Sequence, residues 1–338
     1  MRAYQLPKRG AGIDALVTVD RPIPKPQYRQ VLVKVAACSL NFRDLMIVRG
    51  TYPMPARDDL VPLSDGAGEI VEVGPGVVRV KPGDKVAGCF FQRWQGGEPS
   101  QQIQASALGG TIDGMLAEYV VLEEDGVVTV PPHLTLEEAA TLPCAGVTAW
   151  HALVHHGKLI AGNTVLLQGT GGVSIFGLQF AHAMGINTIV TSSSDDKLKR
   201  AKALGANHTI NYKTTPEWDK AAQEFTGGRG VDLVLEVGGA DTLTRSFGAI
   251  RTNGKVSIIG GVSGRATELN PGLIFGRRAN VQGISVGSTE MFEAMNAAIA
   301  ANAIKPAVDR VFGFGEVKAA FNHLAAGAHF GKVVIRVQ

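Results

Sequence analysis

Three side chains that can bind metals or move protons stand close together early in the chain. Cys38, Asn41 and Asp44 occur within seven positions of the stretch VAACSLNFRDLMIVRG. A thiolate and a carboxylate can both bind zinc. Most zinc sites, however, are built from histidine and cysteine, and the side-chain amide of asparagine is not among the usual ligands. The stretch therefore allows two interpretations, a metal site that contains Cys38 or a polar site without a metal.

A glycine turn further along the chain has the spacing of a phosphate-binding loop. The segment TVLLQGTGGVSIFGLQFAHAMG predicts a strand, a tight turn and a helix, with Gly169, Gly171 and Ser174 at the three positions of G-x-G-x-x-G. The first two glycines let the backbone approach a pyrophosphate at the helix N-terminus. Serine is tolerable at the third, which serves close helix–strand packing. This pattern predicts dinucleotide binding.

The end of the next strand indicates which dinucleotide is bound. An NAD site carries an acidic residue about twenty positions after the loop, where it binds the ribose hydroxyls. Here the strand ends at Ser192 and Ser193, and two aspartates follow later, where we expect them to cap the next helix. Hydroxyl groups with Lys197 behind them, and Tyr212 after the third strand, suit a 2′-phosphate. The sequence favours NADP(H), with NAD possible; Lys197 could instead be a solvated helix residue.

The apolar pattern predicts two domains that would position these residues. Short runs of Val, Ile and Tyr between turns indicate a β-rich domain over residues 1–125, completed by 289–338. From about Leu134 strands alternate with helices, the first of which opens with a capping box at Thr135 and Glu138. Such alternation indicates an α/β Rossmann domain, a doubly wound parallel sheet covered on both faces, over residues 126–288.

Composition excludes several classes of protein. The 338 residues are 45% hydrophobic and 19% charged, with a net charge of +3 and no basic run, so we expect no nucleic-acid partner. No segment approaches the ~20 apolar residues of a membrane span, and the first residues lack the apolar core of a signal peptide. Three widely separated cysteines do not form a disulfide framework. We expect a cytoplasmic enzyme.

Six motifs are distributed along the chain: NFRD, GAGEIVEVGPGV, KPGDKV, GMLAEYV, LPCAGVTAW and the GTGGVS loop. Together they resemble the medium-chain dehydrogenase/reductase superfamily, on the side of the zinc-independent, zeta-crystallin-like quinone oxidoreductases. The resemblance covers essentially the whole chain. It implies that the β-rich domain is a GroES-like catalytic domain that binds the substrate.

The resemblance also bears on the metal. In the zinc-dependent members three protein ligands hold the catalytic zinc, and their positions in this chain are Asn41, Ser64 and Cys144. One thiol with an amide and a hydroxyl would bind zinc poorly. Cys38 then lies on the preceding strand as a small buried core residue, and Arg43 stands where the zinc enzymes have a hydroxyl proton relay. We therefore predict no metal site.

Roles for the other site residues are implied by the resemblance. Asn41 and Asp44 are expected to line the substrate cleft. Tyr52 would lie on a nearby loop, and Thr148 would contact the nicotinamide. Arg43 could steer an acidic substrate group, contact a cofactor phosphate or lie at the surface. The residues assigned to the cofactor lie in the glycine loop and after the later strands: Gly169, Gly171, Gly172, Val173, Ser192, Ser193, Lys197, Tyr212, Val237, Gly260 and Val262.

Three functions are compatible with this pattern. The first is NADPH-dependent, zinc-independent hydride transfer to a quinone or an α,β-unsaturated carbonyl. The second is an NAD(P)-dependent alcohol dehydrogenase or aldehyde reductase of the same superfamily, in which Asp44, Asp65 or Cys144 takes a metal or proton role. The third is a nucleotide-binding protein without turnover.

Two segments outside these motifs could serve assembly. The polar segment 90–114 is interpreted as a surface loop, with a place over the substrate cleft or at a subunit contact as the alternative. The stretch NVQGISVG, residues 280–287, has neither proline nor charge and is the expected edge strand of the parallel sheet. Such an edge favours a homodimer paired across a two-fold axis, unless the chain itself covers it.

Overall fold

The computed structural model describes residues 1–264 and 268–338, which form two compact units. The first unit comprises Met1–Val147 and Val286–Gln338, and the second Thr148–Ser285. The sequence places these divisions at 125/126 and 288/289 instead. Residues 126–147 lie with the first unit because their strand Val127–Thr129 pairs with Lys85–Gly88 of its sheet. In the described part of the chain, no helix has both the length and the apolar character needed to cross a membrane.

The strands are numbered in chain order over the described residues: β1 Arg2–Gln5, β2 Val17–Asp20, β3 Gln30–Leu40, β4 Asp65–Val73, β5 Lys85–Gly88, β6 Tyr119–Glu123, β7 Val127–Thr129, β8 Thr164–Gln168, β9 Asn187–Ser192, β10 His208–Asn211, β11 Val231–Glu236, β12 Ile250–Ile258, β13 Asn280–Gly283, β14 Val308–Gly313 and β15 Lys332–Arg336. The α-helices are α1 Phe42–Val48, α2 Gln101–Gln104, α3 Leu136–Ala139, α4 Val147–Trp150, α5 Gly172–Ala183, α6 Asp195–Ala203, α7 Trp218–Phe225, α8 Leu243–Ala249, α9 Pro271–Arg277, α10 Thr289–Ala301 and α11 Val317–Ala325. Short 3-10 or π-helical segments cover Ile13–Ala15, Glu124–Gly126, Leu142–Gly146, His151–His156 and Phe314–Glu316.

The first unit is built on a seven-stranded, mostly antiparallel sheet. Its order is β14-β15-β3-β4-β5-β7, and β6 also pairs with β3. The central strand β3 is eleven residues long, and Cys38 within it is fully buried with its thiol donating to the Met115 carbonyl oxygen at 3.0 Å. This confirms that Cys38 is a core residue of that strand. Strand β14 pairs with β15 in parallel.

Three strand ends of this sheet come together. Strand β15 pairs antiparallel with β3 so that Val333 faces Leu40, and β4 pairs with β3 so that Asp65 faces Ser39. Consequently the end of β3, the start of β4 and the start of β15 lie side by side. The chain leaves β3 directly into α1, so the NFRD motif stands at this same corner.

The second unit contains a six-stranded parallel sheet in the order β10-β9-β8-β11-β12-β13. Its two middle strands, β8 and β11, are buried throughout, as expected of a sheet covered on both faces. The strand order reverses between β8 and β11, the usual position of a ligand in a doubly wound sheet. The predicted fold class, a Rossmann sheet with a GroES-like β-rich domain, is confirmed.

Two local predictions about the second unit need correction. Ser194 is the N-cap of α6, with its hydroxyl accepting from the Lys197 amide at 3.4 Å, while Asp195 and Asp196 occupy the first turn instead of the cap. The edge strand β13 ends at Gly283, four residues short of the predicted stretch. The pairing stops there because Ile284 makes the last hydrogen bond toward β12 and Val286 turns to a positive φ.

The segment 90–114 is held to the first unit more firmly than a surface loop. Phe90, Phe91 and Trp94 are all buried, and their rings pack edge to face in sequence. Gln92 is buried as well and its amide donates to the Cys89 and Gly126 carbonyl oxygens. The polar composition of this segment concealed these anchors, so the surface-loop interpretation is wrong for its first part.

Candidate active site

The NFRD motif forms the beginning of helix α1. Asn41 is the N-cap with an extended backbone, φ −125° and ψ 157°. Its backbone N–H donates to Asp44 Oδ2 at 2.8 Å. The carboxylate thus satisfies a backbone donor at the helix N-terminus, as the acidic residue of a capping box does. Both side chains are buried, Asp44 almost completely. The structure therefore brings the two predicted residues together in the first unit.

A lysine that the sequence analysis missed lies against Asn41. The Lys332 side chain is 3% exposed, and its ammonium donates to Asn41 Oδ1 at 2.5 Å and to the Leu40 carbonyl oxygen at 2.7 Å. It also lies 3.8 Å from Asp65 Oδ2. Lys332 is 291 positions from Asn41, so only the pairing of β15 with β3 brings them together.

Asp65 is the anion that faces this ammonium. It is fully buried and accepts from the Ser64 hydroxyl at 2.7 Å and from the Cys144 backbone N–H at 3.2 Å. Burial raises the pKa of the Asp65 carboxyl, and the Lys332 charge and the hydrogen bonds of its neighbours oppose that rise. Asn41, Ser64 and Cys144, the three positions of the metal ligands in the zinc-dependent members, are thereby joined through Asp65 and Lys332.

Arg43 forms a second buried cationic group beside the first. Its guanidinium donates to the Leu108 carbonyl oxygen at 2.9 Å and lies 3.4 Å from Asp44 Oδ1. The guanidinium carbon also stands 4.7 Å from the ring centre of Phe90 and 5.1 Å from that of Tyr52, within cation–π range. Arg43 is 8% exposed, so its interpretation as a surface residue is wrong. Tyr52 lies near the motif as predicted, and the segment 90–114 supplies one wall.

The residues at the ligand positions do not fit a zinc ion. The Asn41 oxygen that would face a metal accepts from an ammonium, and the Ser64 hydroxyl donates to Asp65. Burial raises the pKa of the Cys144 thiol, which disfavours the thiolate that binds zinc. Two cations, Arg43 and Lys332, already face the two carboxylates, so a divalent ion would add charge that nothing balances.

The glycine loop of the second unit fits a dinucleotide phosphate. Gly169 has φ +71°, and a Cβ atom built on Gly169 or Gly171 would meet nothing within 4 Å, so the loop backbone is open to a ligand. Gly172 and Val173 begin α5, whose N-terminus follows the loop. The Ser174 hydroxyl donates to the Gln168 carbonyl oxygen at 2.6 Å. The close contact of α5 with the sheet is made one turn later at Gly177, whose Cβ would lie 3.0 Å from Leu167 Cδ2.

The proposed adenosine-phosphate residues lie at the ends of adjacent strands. The Tyr212 N–H donates to the Ser192 carbonyl oxygen at 3.1 Å, which places the end of β10 beside the end of β9. Ser192 is buried and Ser193 half-buried, and α6, which carries half-buried Lys197 in its first turn, starts two residues further on. The structure thus brings these four residues to one corner of the sheet.

The remaining cofactor residues follow β11 and β12. The Val262 N–H donates to the Val237 carbonyl oxygen at 3.1 Å, and the Gly260 N–H to the Glu236 carbonyl oxygen at 3.2 Å. Gly260 permits this approach, because its Cβ would lie 3.1 Å from the Val237 oxygen. The two loops are therefore tied together. Thr148, the first residue of the second unit, is buried on α4, and its role at the nicotinamide stays a prediction.

A buried carboxylate that the sequence analysis missed organises these loops. Glu236 is fully buried and accepts hydrogen bonds from five donors, three on side chains and two on the backbone. The donors are Gln168 Nε2, Ser246 Oγ, Thr242 Oγ1 and the N–H groups of Gly238 and Gly239. Gln168 in turn accepts from the N–H groups of Val237 and Gly238 at 3.1 Å. Gln168 ends β8 and Glu236 ends β11, and these two polar strand ends were the sequence signal for this network.

We predict that Asp44→Asn flattens the pH dependence of stability. Burial raises the pKa of Asp44 from 3.8 to about 6, so between about pH 4 and pH 6 the native state keeps a proton that the unfolded state releases. Wild-type stability therefore falls as the pH rises through this window. The free energy of unfolding of the variant relative to wild type should rise by about 2–3 kcal/mol between pH 4 and pH 7.

Urea unfolding at a series of pH values measures this difference. Asp241→Asn, at an exposed position of the second unit, is the matched control and should track the wild type. A difference between Asp44→Asn and wild type that does not change with pH would contradict the prediction.

Comparison with known proteins identifies the family. The model of the alcohol dehydrogenase GroES-like domain matches residues 27–132, and that of the zinc-binding dehydrogenases matches 172–301. A zinc-type alcohol dehydrogenase-like protein of Schizosaccharomyces pombe is 47% identical over 97% of this chain and 96% of its own, and human quinone oxidoreductase is 26% identical over 99% and 97%.

Solved structures with similar folds indicate the same family. An NAD-dependent alcohol dehydrogenase is 33% identical with a TM-score of 0.90, and a mycobacterial protein complexed with NADPH is 26% identical with a TM-score of 0.84, each over 100% of both chains. The chain is therefore an oxidoreductase that belongs to the medium-chain dehydrogenase/reductase superfamily.

Proposed function

We propose that the chain is an NADPH-dependent, zinc-independent oxidoreductase that reduces a quinone or an α,β-unsaturated carbonyl compound. The observation that carries the proposal is the cluster of side chains at the three ligand positions. A lysine ammonium bound to Asn41, a hydroxyl donated to Asp65 and a thiol of raised pKa stand where the zinc enzymes have metal ligands.

The chemistry of a conjugated acceptor suits such a site. Hydride addition to the β-carbon moves negative charge onto the carbonyl oxygen, and solvent can supply the proton that completes the reduction. Fixed dipoles and charges in a water-poor site stabilise that oxygen without a metal. Asn41 offers an amide dipole beside the Lys332 charge, and Arg43 contributes a second positive charge. Bound NADPH would supply the hydride. Oxidation of a simple alcohol is less suited, because its hydroxyl must be deprotonated and a metal normally assists.

The relatives support this function and also favour a second one. Human quinone oxidoreductase is similar over the whole chain, and a structural neighbour carries NADPH. The relative at 47% identity is named as zinc-type alcohol dehydrogenase-like, however, and another neighbour is an NAD-dependent alcohol dehydrogenase. An alcohol dehydrogenase or aldehyde reductase activity is therefore the second candidate.

A substrate panel with metal analysis tests the proposal. We expect NADPH oxidation with quinones and enones at least tenfold faster than alcohol oxidation with NADP, zinc well below one atom per chain, and no loss of activity on chelation. About one zinc per chain that resists chelation and is required for turnover would refute the zinc-free mechanism. Faster turnover of alcohols or aldehydes would favour the second candidate, and tight NADPH binding without any turnover would show a binding protein.

The cofactor preference rests on the corner formed by Ser192, Ser193, Lys197 and Tyr212. Replacing Lys197 with alanine should weaken NADPH binding by roughly 1–2 kcal/mol, because a charge-assisted hydrogen bond to the 2′-phosphate is lost. NADH binding should hardly change. Fluorescence titration of both cofactors measures the two affinities.

Lys199→Ala is the matched control for this prediction, since Lys199 is exposed on the same helix and pairs with Asp196. It should leave NADPH binding unchanged. Equal losses for NADPH and NADH in Lys197→Ala, or a wild-type preference for NADH, would contradict the assignment.

We also propose that the chain forms a homodimer through β13. This strand pairs with β12 on one side, and because the Ile284 N–H points toward β12, alternation turns the N–H groups of Val281 and Gly283 outward. Pairing with a second copy would satisfy them.

Light scattering should give a mass of twice 35.6 kDa for the wild type. The variant Val281→Pro, which removes one outward donor, should shift the protein toward monomer without unfolding it. A monomeric wild type at micromolar concentration would contradict this.

A further inference from the structure

We propose that Lys332 is a positioning residue of the active site, which fixes the Asn41 amide and supplies a positive charge where the zinc relatives hold their metal. The inference rests on the proposed function, since it concerns how that site would work without a metal. Nothing in the sequence motifs pointed to this residue.

The Lys332 ammonium is buried and has a full set of polar partners. A buried ammonium is costly to desolvate, and a lysine is rarely buried without partners. Here the ammonium has two hydrogen-bond acceptors, the Leu40 carbonyl oxygen and Asn41 Oδ1, and one anion, Asp65, at 3.8 Å. The backbone is fixed as well, because the Lys332 N–H donates to the Ala307 carbonyl oxygen at 3.0 Å. The side chain therefore has one well-defined place.

The same contacts set the orientation of the Asn41 amide. An ammonium can only donate, so the atom that faces Lys332 must be the amide oxygen, and the amide nitrogen points elsewhere. That nitrogen is buried and makes no hydrogen bond of normal geometry among the described residues, although it is near enough to Asp65 to lower the pKa of that carboxyl. A buried donor without an acceptor is unfavourable. Because this nitrogen has no solvent-exposed surface, a substrate carbonyl oxygen would become its acceptor only after neighbouring side chains move aside.

The charge should also make Asn41 a better donor. A hydrogen bond from a cation to the amide oxygen polarises the amide group and strengthens the bonds that its N–H groups donate. Lys332 would act through Asn41 on the substrate oxygen, and its effect would grow as negative charge develops there. Asp65 keeps the ammonium in place and balances it.

A merely structural role makes different predictions. If Lys332 only anchors the start of β15, a neutral side chain of similar size should preserve catalysis in the molecules that fold. If it positions and polarises Asn41, Lys332→Met should lower kcat at least tenfold while the Kd for NADPH stays within twofold of wild type. Lys255→Met is the control, because Lys255 likewise donates to two carbonyl oxygens, those of His156 and Gly157, but lies in the second unit. That variant should lose stability and keep kcat.

Chemical rescue separates charge from packing. In Lys332→Ala, added ethylammonium or propylammonium should restore at least a fifth of the lost activity, whereas propanol at equal concentration should not. Equal rescue by the alcohol, or a kcat of Lys332→Met within threefold of wild type, would overturn the inference.

A stability cycle tests the pair independently of turnover. Lys332→Met and Asp65→Asn should each lower the melting temperature, while the double variant should melt no lower than the worse single variant, because each single change leaves a buried charge unpaired. Additive losses would overturn the pairing.

If wild type reduced no acceptor, the proposed function would fail, and this cycle would still decide whether the Lys332–Asp65 pair exists. If Lys332→Met does not fold, refolding of that chain by the Asp65→Asn change is the supporting result, and its absence the contrary one.

Discussion

The buried ammonium of Lys332 is the group on which the geometry of the site in the first unit depends. A charge in the protein interior needs both hydrogen-bond acceptors and an opposite charge close by. The Leu40 carbonyl oxygen, Asn41 and Asp65 meet that need, and they come from the end of β3, the cap of α1 and the start of β4. The register of three strands and the beginning of one helix must therefore agree before the site can form.

A second cation extends this constraint to the segment 90–114. The Arg43 guanidinium lies within cation–π range of the rings of Phe90 and Tyr52 and donates to the Leu108 carbonyl oxygen. The segment is thereby part of the site wall, although most of its tip is exposed. With Asp44 and Asp65 ionised, the two cations and two carboxylates balance, so the cluster has no need of an added metal charge. The raised pKa of Asp44 reflects the free-energy cost of burying its ionised carboxylate.

In the second unit a buried carboxylate also fixes the backbone, here in the loops expected to bind the cofactor. Loops that follow parallel strands must hold their shape so that a cofactor can bind against backbone atoms. Glu236 does this by accepting from five donors, and Gln168 links the end of β8 to the loop after β11. In both units a fully buried acidic side chain at one end of a strand accepts backbone N–H groups, Asp65 in the first unit and Glu236 in the second.

The sequence by itself determined the elements and the local motifs. Strand–helix alternation indicated the parallel sheet, the G-x-G spacing indicated the phosphate loop, and Thr135 with Glu138 indicated a capping box that the structure contains. These features depend on residues close together in the chain, where periodicity and turn chemistry act. The hydrogen bond between Asn41 and Asp44 is local in the same sense, since it spans only three residues, although family resemblance and not turn chemistry pointed to the pair.

The tertiary structure alone decided which distant residues complete the sites. Lys332 and Asn41 are 291 positions apart, and Gln168 and Glu236 are 68 apart. A lysine at the start of one strand or a glutamate at the end of another gives no sign of its partner in sequence. Strand order and register supply the partner, and the cost of burying a charge makes that partner necessary. Cys38, the first candidate ligand, illustrates the same point, because its place in β3 assigns it to the core.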